Sequence, residues 1–193
     1  MYNFIQHQLT SIQNHFDRLR PSLQAPKHYS KVITQVIKTP MKAYLDIETS
    51  FSGDITIIGI YYSDGRLLQL VGDNVNRYNL LDSLNGASTI FTYNGSRFDL
   101  PVIRNKLGVD ITTLYNCRDL MYDCWKQNLY GGLKRVEEQL GIDRDSKGID
   151  GWEAMRLWEH YKEHDDEQAL TTLLHYNRDD VINLTTIEER LKI

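Results

Sequence analysis

Long hydrophobic runs are missing from this sequence. No apolar stretch approaches the ~20 residues needed to cross a bilayer, so a membrane-spanning protein is not expected. Cysteine is scarce: Cys117 and Cys124 are the only two. They are too few for a disulfide framework or a structural zinc site and read as free thiols of a reducing compartment. The first residues, Met-Tyr-Asn-Phe-Ile-Gln-His, have no basic start, no apolar core and no small-residue cleavage site, so a cytoplasmic location is expected. There are four prolines, three of them (Pro21, Pro26, Pro40) before residue 41. An excess of positive charge is also absent. Lys and Arg number 22 against 26 Asp and Glu, a net charge of −4, which argues against wholesale electrostatic binding to nucleic acid.

What is present fits a soluble α/β domain. The 193 residues, 41% hydrophobic and 25% charged, suffice for one domain with a substantial core. The charge is uneven. Residues 1–42 hold six basic residues and one acid, and the remainder holds 16 and 25. Such asymmetry marks either a basic arm that reaches a polyanion or a solvated surface. Phe4, Ile5, Leu9, Ile12, Phe16 and Leu19 follow helical spacing and predict an amphipathic helix over 3–20. Residues 21–41 read as a connecting segment. The expected division is a helical extension over 1–41 and a main domain over 42–193.

The main domain opens on Ala-Tyr-Leu-Asp-Ile-Glu-Thr, residues 43–49. As a strand, this stretch places Asp46 and Glu48 on one face and Leu45 and Ile47 on the other. The pair is either an exposed strand end with two solvated acids or a place for a cation, since carboxylates side by side among apolar neighbours repel each other. Hard divalent cations such as Mg²⁺ take such oxygens. Ile55–Tyr62 predicts a second strand, Ser63-Asp64-Gly65 a hairpin turn, and 66–71 a third strand, together an antiparallel meander. Residues 76–84 read as a helix, 88–92 as a fourth strand, 97–107 as a helix with Pro101 in its first turn, and 111–115 as a fifth strand. The rest reads as helical, over 133–140, 152–161 and 168–191. Strands first, then strands alternating with helices, predict a mixed sheet flanked by helices.

Two further stretches carry acids. Tyr93-Asn94-Gly95-Ser96-Arg97-Phe98-Asp99 sits where a strand ends and a helix begins. There Asp99 is either a first-turn acid favoured by free amides or a member of a ligand site at the carboxyl ends of the strands. In the last helix Asp180 falls seven residues after Leu173 and four before Leu184, on the edge of the core-facing stripe. A carboxylate turned inward needs a partner. Asp179 aligns with Thr172, Asn183 and Thr186 and reads as a solvated charge. Trp125, Trp152 and Trp158 read as packing residues. Lys126, Lys134, Arg135, Arg144 and Lys147 are candidates for phosphate contacts, although each taken singly reads as a solvated surface charge.

Asp46-x-Glu48, Asn94-x-x-x-Phe98-Asp99 and Tyr176-x-x-x-Asp180, in that order, resemble the three motifs of the DEDD exonucleases. The tyrosine makes the chain similar to the DEDDy branch, which includes DNA polymerase proofreading domains. The wording around the motifs resembles stand-alone prokaryotic proteins with a ribonuclease H-like exonuclease domain. His175 also fits the His-x-x-x-x-Asp spacing of the DEDDh branch. Helical geometry favours Tyr176, which lies ~40° around the helix from Asp180, against ~140° for His175.

The resemblance implies a ribonuclease H-like five-stranded sheet and a 3′–5′ exonuclease that releases nucleoside monophosphates from DNA or RNA. A single-stranded 3′ end is its implied partner. It also implies two Mg²⁺ or Mn²⁺ ions. Asp46 would bridge them, with Glu48 and Asp180 at the first and Asp99 at the second. Tyr176 would orient the attacking water, and Asn94 and Phe98 would contact the terminal nucleotide. The competing expectations are a related endonuclease or RNA-processing nuclease, and a non-catalytic nucleic-acid-binding module of the same fold.

Overall fold

The computed structural model describes residues 41–193. The expected helix over 3–20 and nearly all of the connecting segment lie outside the described residues. Five strands, β1 (Met41–Thr49), β2 (Ile55–Tyr62), β3 (Leu67–Val71), β4 (Ala87–Thr92) and β5 (Asn116–Asp119), form one sheet in the order β3-β2-β1-β4-β5. The β1–β2 and β2–β3 pairs are antiparallel; β1–β4 and β4–β5 are parallel. This is the mixed sheet expected of a ribonuclease H-like fold. Among the described residues six helices flank it: α1 (Arg77–Ser83), α2 (Asp99–Leu107), α3 (Leu120–Lys126), α4 (Leu133–Leu140), α5 (Gly151–His164) and α6 (Glu167–Leu191). Among the described residues no helix is long and apolar enough to cross a membrane.

The period-2 pattern of β1 sets the layers. Ala43, Leu45 and Ile47 point to the face covered by α1 and α2, where they pack with Leu80, Leu84, Leu100 and Ile103. Each such fully buried aliphatic side chain contributes roughly 1.5–3 kcal/mol. Tyr44 points to the opposite face, among Phe91, Leu120, Val136, Leu184 and Ile187. Asp46 and Glu48 follow Tyr44 along that second face, which lies beneath α6. β2 is rich in β-branched residues that suit a strand buried on both faces. Gly65, with φ of 91°, closes the turn into β3.

The fifth strand sits later than its sequence pattern suggested. Residues 111–113 form a 3₁₀ turn instead. Asp110 accepts hydrogen bonds from the Thr112 amide (3.1 Å) and hydroxyl (2.6 Å), so the backbone turns before it can extend. The true β5, Asn-Cys-Arg-Asp, is a short edge strand with only one neighbour and little apolar signal to betray it.

Candidate active site

Seven side chains singled out in the sequence line one cleft of about 270 Å³: Asp46, Glu48, Asn94, Phe98, Asp99, Tyr176 and Asp180. Three elements converge to make it. β1 carries Asp46 and Glu48 on the face toward α6. The turn after β4 carries Asn94 and Phe98, with Asp99 as the first residue of α2. α6, started at Asp166, whose carboxylate accepts from the Gln168 and Ala169 amides, carries Tyr176 and Asp180 on its inner side. Asp46, Glu48 and Asp180 each offer a carboxylate oxygen within 4.8 Å of the others. Asp99 belongs to the same cleft but not to that tight triad; its Oδ1 accepts from the Ile47 amide at 3.1 Å. The turn itself is held by Asp119, which accepts from the amides of Asn94 (2.8 Å) and Ser96 (3.0 Å). Asn94 adopts φ of 60°, a left-handed conformation that asparagine tolerates better than most residues.

These carboxylates are held against their own charge. Burial raises the pKa of Asp46 and Glu48 well above the ordinary range, and Asp180 raises both further. Burial also pushes Asp99 up to about 7, against the pull of the Asp99 and Ile47 amides. Asp180 rises to about 6 on burial, restrained by Arg144 and Lys134. Glu48 is 7% exposed, and among the described residues its buried Oε1 has no hydrogen-bond partner. Carboxylates packed this closely, one with an orphaned oxygen, are the donor set that a hard divalent cation takes. The residues present therefore fit such an ion, with Asp46, Glu48 and Asp180 as its holders.

Two neighbours, Asn177 and Gln69, escaped the sequence reading. Asn177, fully buried, donates to Asp46 Oδ2 (3.1 Å) and accepts from Gln69 Nε2 (3.0 Å). It fits only because β2 has Gly59 directly across from Asp46; a Cβ there would lie 2.2 Å from Asn177 Oδ1. The glycine inside an otherwise β-branched strand was the available signal. Lys134 donates to the Tyr176 hydroxyl (2.9 Å) and to the Ile149 carbonyl (2.5 Å), and burial lowers its pKa. His175 is exposed and does not line the cleft.

Three expectations need correction. Asp179 is buried, not solvated. Its Oδ2 accepts from the amides of Asp145 (3.1 Å) and Ser146 (2.9 Å), and its Oδ1 from Arg178. The polar side of α6 is covered by the segment between α4 and α5, which helical phasing alone does not reveal. Arg144 cannot serve as a surface phosphate contact, since its guanidinium is buried against Glu137 and Asp180. Trp152 is not a packing residue: it is 62% exposed, in edge contact with Phe51 at a centroid distance of 4.9 Å. Of the other basic candidates, Lys126 pairs with Asp123, and Arg135 and Lys147 are exposed.

Comparison with known proteins places this architecture. A family B DNA polymerase from the hyperthermophilic archaeon Pyrobaculum calidifontis superposes with a TM-score of 0.62 at 21% identity, over 79% of this chain and 24% of the polymerase. The chain thus spans about a quarter of that protein, and the likeness is one of fold. The EXD2 exonuclease domain soaked in Mn and GMP aligns at TM-score 0.36 and 16% identity over 79% of this chain and 81% of that one. The same domain soaked in Mg and GMP gives 0.34 and 16%, over 70% and 74%. No curated protein matches by sequence. The family model of the RNase H superfamily matches residues 43–192, nearly the whole of the sheet and its helices, and the chain belongs to that superfamily.

Proposed function

We propose that this protein is a DEDDy-type, two-metal 3′–5′ exonuclease, acting on a single-stranded end of DNA or RNA and releasing nucleoside monophosphates. The observation that carries this reading is the meeting, in one cleft, of Asp46, Glu48 and Asp180 with Asp99 and Tyr176. Mg²⁺ or Mn²⁺ held there would activate a water and neutralise charge on the scissile phosphate and its leaving oxygen. Asp46, Glu48 and Asp180 would hold one ion, and Asp46 with Asp99 a second. The oxygen of the attacking water bonds to phosphorus, the bond to the 3′ oxygen breaks, and that oxygen leaves with a proton.

The chain's own groups prepare this reaction. Tyr176 is kept neutral, because burial and the nearby acids Asp180, Glu48 and Asp46 push its pKa upward. Its hydroxyl therefore orients the water by hydrogen bonding and does not act as a base. The ammonium of Lys134 donates to that hydroxyl and fixes its direction, leaving the phenolic hydrogen free to face the cleft. Asn94 and Phe98 border the cleft, and Phe98 is 45% exposed, open to a base. Phe51, two residues after the cleft residue Thr49, and Trp152, directly after the cleft residue Gly151, offer a second aromatic surface. Aromatic faces of this kind stack unpaired bases at ~1–3 kcal/mol each, which supports a single-stranded substrate.

The test is incubation with end-labelled single-stranded DNA and RNA in Mg²⁺, Mn²⁺ or chelator, with product length as the readout. Mononucleotides appearing only with metal support the reading. Internal oligonucleotides would mark an endonuclease, and binding without cleavage a non-catalytic module.

A further inference from the structure

A buried arginine touches the candidate metal site from behind. Arg144 lies in the segment between α4 and α5, with a side chain only 8% exposed. Its Nη2 donates to Asp180 Oδ1, and its Nη1 to Glu137 Oε2 at 2.7 Å. Glu137, from α4, is saturated in turn: its Oε1 accepts from Asn183 Nδ2 at 3.0 Å. Asn183 stands three residues after Asp180 on α6, on the same side of the helix. The result is a closed, buried chain from Asn183 through Glu137 and Arg144 to Asp180. It occupies only one oxygen of Asp180; among the described residues Oδ2 accepts no hydrogen bond.

The segment that carries Arg144 is fastened by the residue next to Asp180. Asp179 takes the amides of Asp145 and Ser146 on Oδ2, while Arg178 bridges Asp179 and Asp145. Two consecutive acids thus grip one short loop, one by its backbone and the other by its arginine. A guanidinium that served only as a mobile counter-charge would need neither the brace from Glu137 nor the clamp from Asp179. The two terminal nitrogens of one rigid, planar guanidinium hold the two carboxylates in a fixed relative orientation, which a rotatable ammonium does not.

We infer that Arg144 is a positioning residue that fixes the Asp180 carboxylate with one oxygen held and the other presented to a divalent cation. This rests on the proposed nuclease site. It predicts a sign that simple electrostatics does not. Removing a cation beside a metal site should tighten metal binding, whereas removing a positioning fork should weaken it.

The experiment is calorimetric titration of the full chain with Mn²⁺, without nucleic acid, for wild type, Arg144→Ala and Arg144→Lys. Arg144→Ala is expected to bind Mn²⁺ about tenfold or more weakly, the usual effect of losing a group that orients a metal ligand. Added guanidinium ion should recover much of that loss. Arg144→Lys, which keeps the charge but lacks the fork, should bind several-fold more weakly and gain nothing from guanidinium. Equal or tighter Mn²⁺ binding by Arg144→Ala overturns the inference, as does weakening that guanidinium does not relieve. Should Arg144→Ala fail to fold by circular dichroism, Arg144→Lys decides alone: wild-type affinity there overturns the inference. A wild-type chain that binds no Mn²⁺ would instead remove the metal-site reading itself.

Discussion

Gly59→Ala probes the packing behind the acidic cluster with a single methyl group. The added Cβ would lie 2.2 Å from Asn177 Oδ1 and 2.9 Å from its Cγ, so the amide must shift by roughly 1 Å to reach ordinary contact. Asn177, on α6, is fully buried against β2. The shift breaks the bond it donates to Asp46 and the one it accepts from Gln69. Overpacking costs about 1–3 kcal/mol, and a hydrogen bond to a carboxylate about 1.5–3 kcal/mol. A net loss of about 3 kcal/mol corresponds to a fall of about 6–12 °C in Tm for a domain of this size. Thermal unfolding by circular dichroism reads it. Gly151→Ala is the control: it opens α5, has nothing within 4 Å of a new Cβ, and should leave Tm unchanged or slightly higher. On an Asn177→Ala background the clash disappears, so Gly59→Ala should then cost little, a coupling visible in the double-mutant cycle. If Gly59→Ala melts within a degree or two of wild type, or costs as much without Asn177 as with it, the packing argument is wrong.

Asp179→Ala should destabilise the protein by about 2–3 kcal/mol in urea unfolding, because the amides of Asp145 and Ser146 lose a charged acceptor; a midpoint equal to wild type would return Asp179 to the surface. The metal-free chain should lose stability as pH rises. Asp99 and Asp180 titrate near 3.9 when unfolded but are pushed up to about 7 and about 6 in the fold. Their uncharged forms therefore support folding below about pH 4, and that support drains away between about pH 4 and 7. Urea midpoints in EDTA across this window should fall and should level out in Mn²⁺; a flat profile in EDTA would contradict the crowding of the acids. Tyr176→Phe keeps the buried ring and deletes the hydroxyl, so kcat on a labelled oligonucleotide should drop by about a hundredfold. His175→Ala, on the exposed side of α6, should change it little, and the reverse ranking would reassign the third motif.

What could be read from the sequence was what local periodicity controls. The alternation along β1 put Asp46 and Glu48 on one face, and the helical phase of α6 turned Tyr176 and Asp180 inward. In the structure all of them line one cleft with Asn94, Phe98 and Asp99. The failures share a cause: each depended on what a distant segment would cover. Asp179 and Asn183 lie on the polar side of α6, yet the loop after α4 buries them. Arg144 looks like a surface cation until that same loop folds it against Glu137 and Asp180. Trp152 looks like core, but α5 begins at the cleft and leaves it on the rim. β5 lies later than expected because its polar edge strand carries less signal than the β-branched Ile-Thr-Thr turn before it.

Hydrolysis in this cleft requires that the carboxylates gathered under α6 hold cations. Anomalous diffraction at the manganese edge, from crystals of the full chain soaked in Mn²⁺, measures this directly. The expected result is a pair of peaks ~3.5–4 Å apart within reach of Asp46, Glu48, Asp99 and Asp180, the first of them shared by Asp46, Glu48 and Asp180. An empty cleft at saturating Mn²⁺, or manganese bound only at other acids, would contradict it.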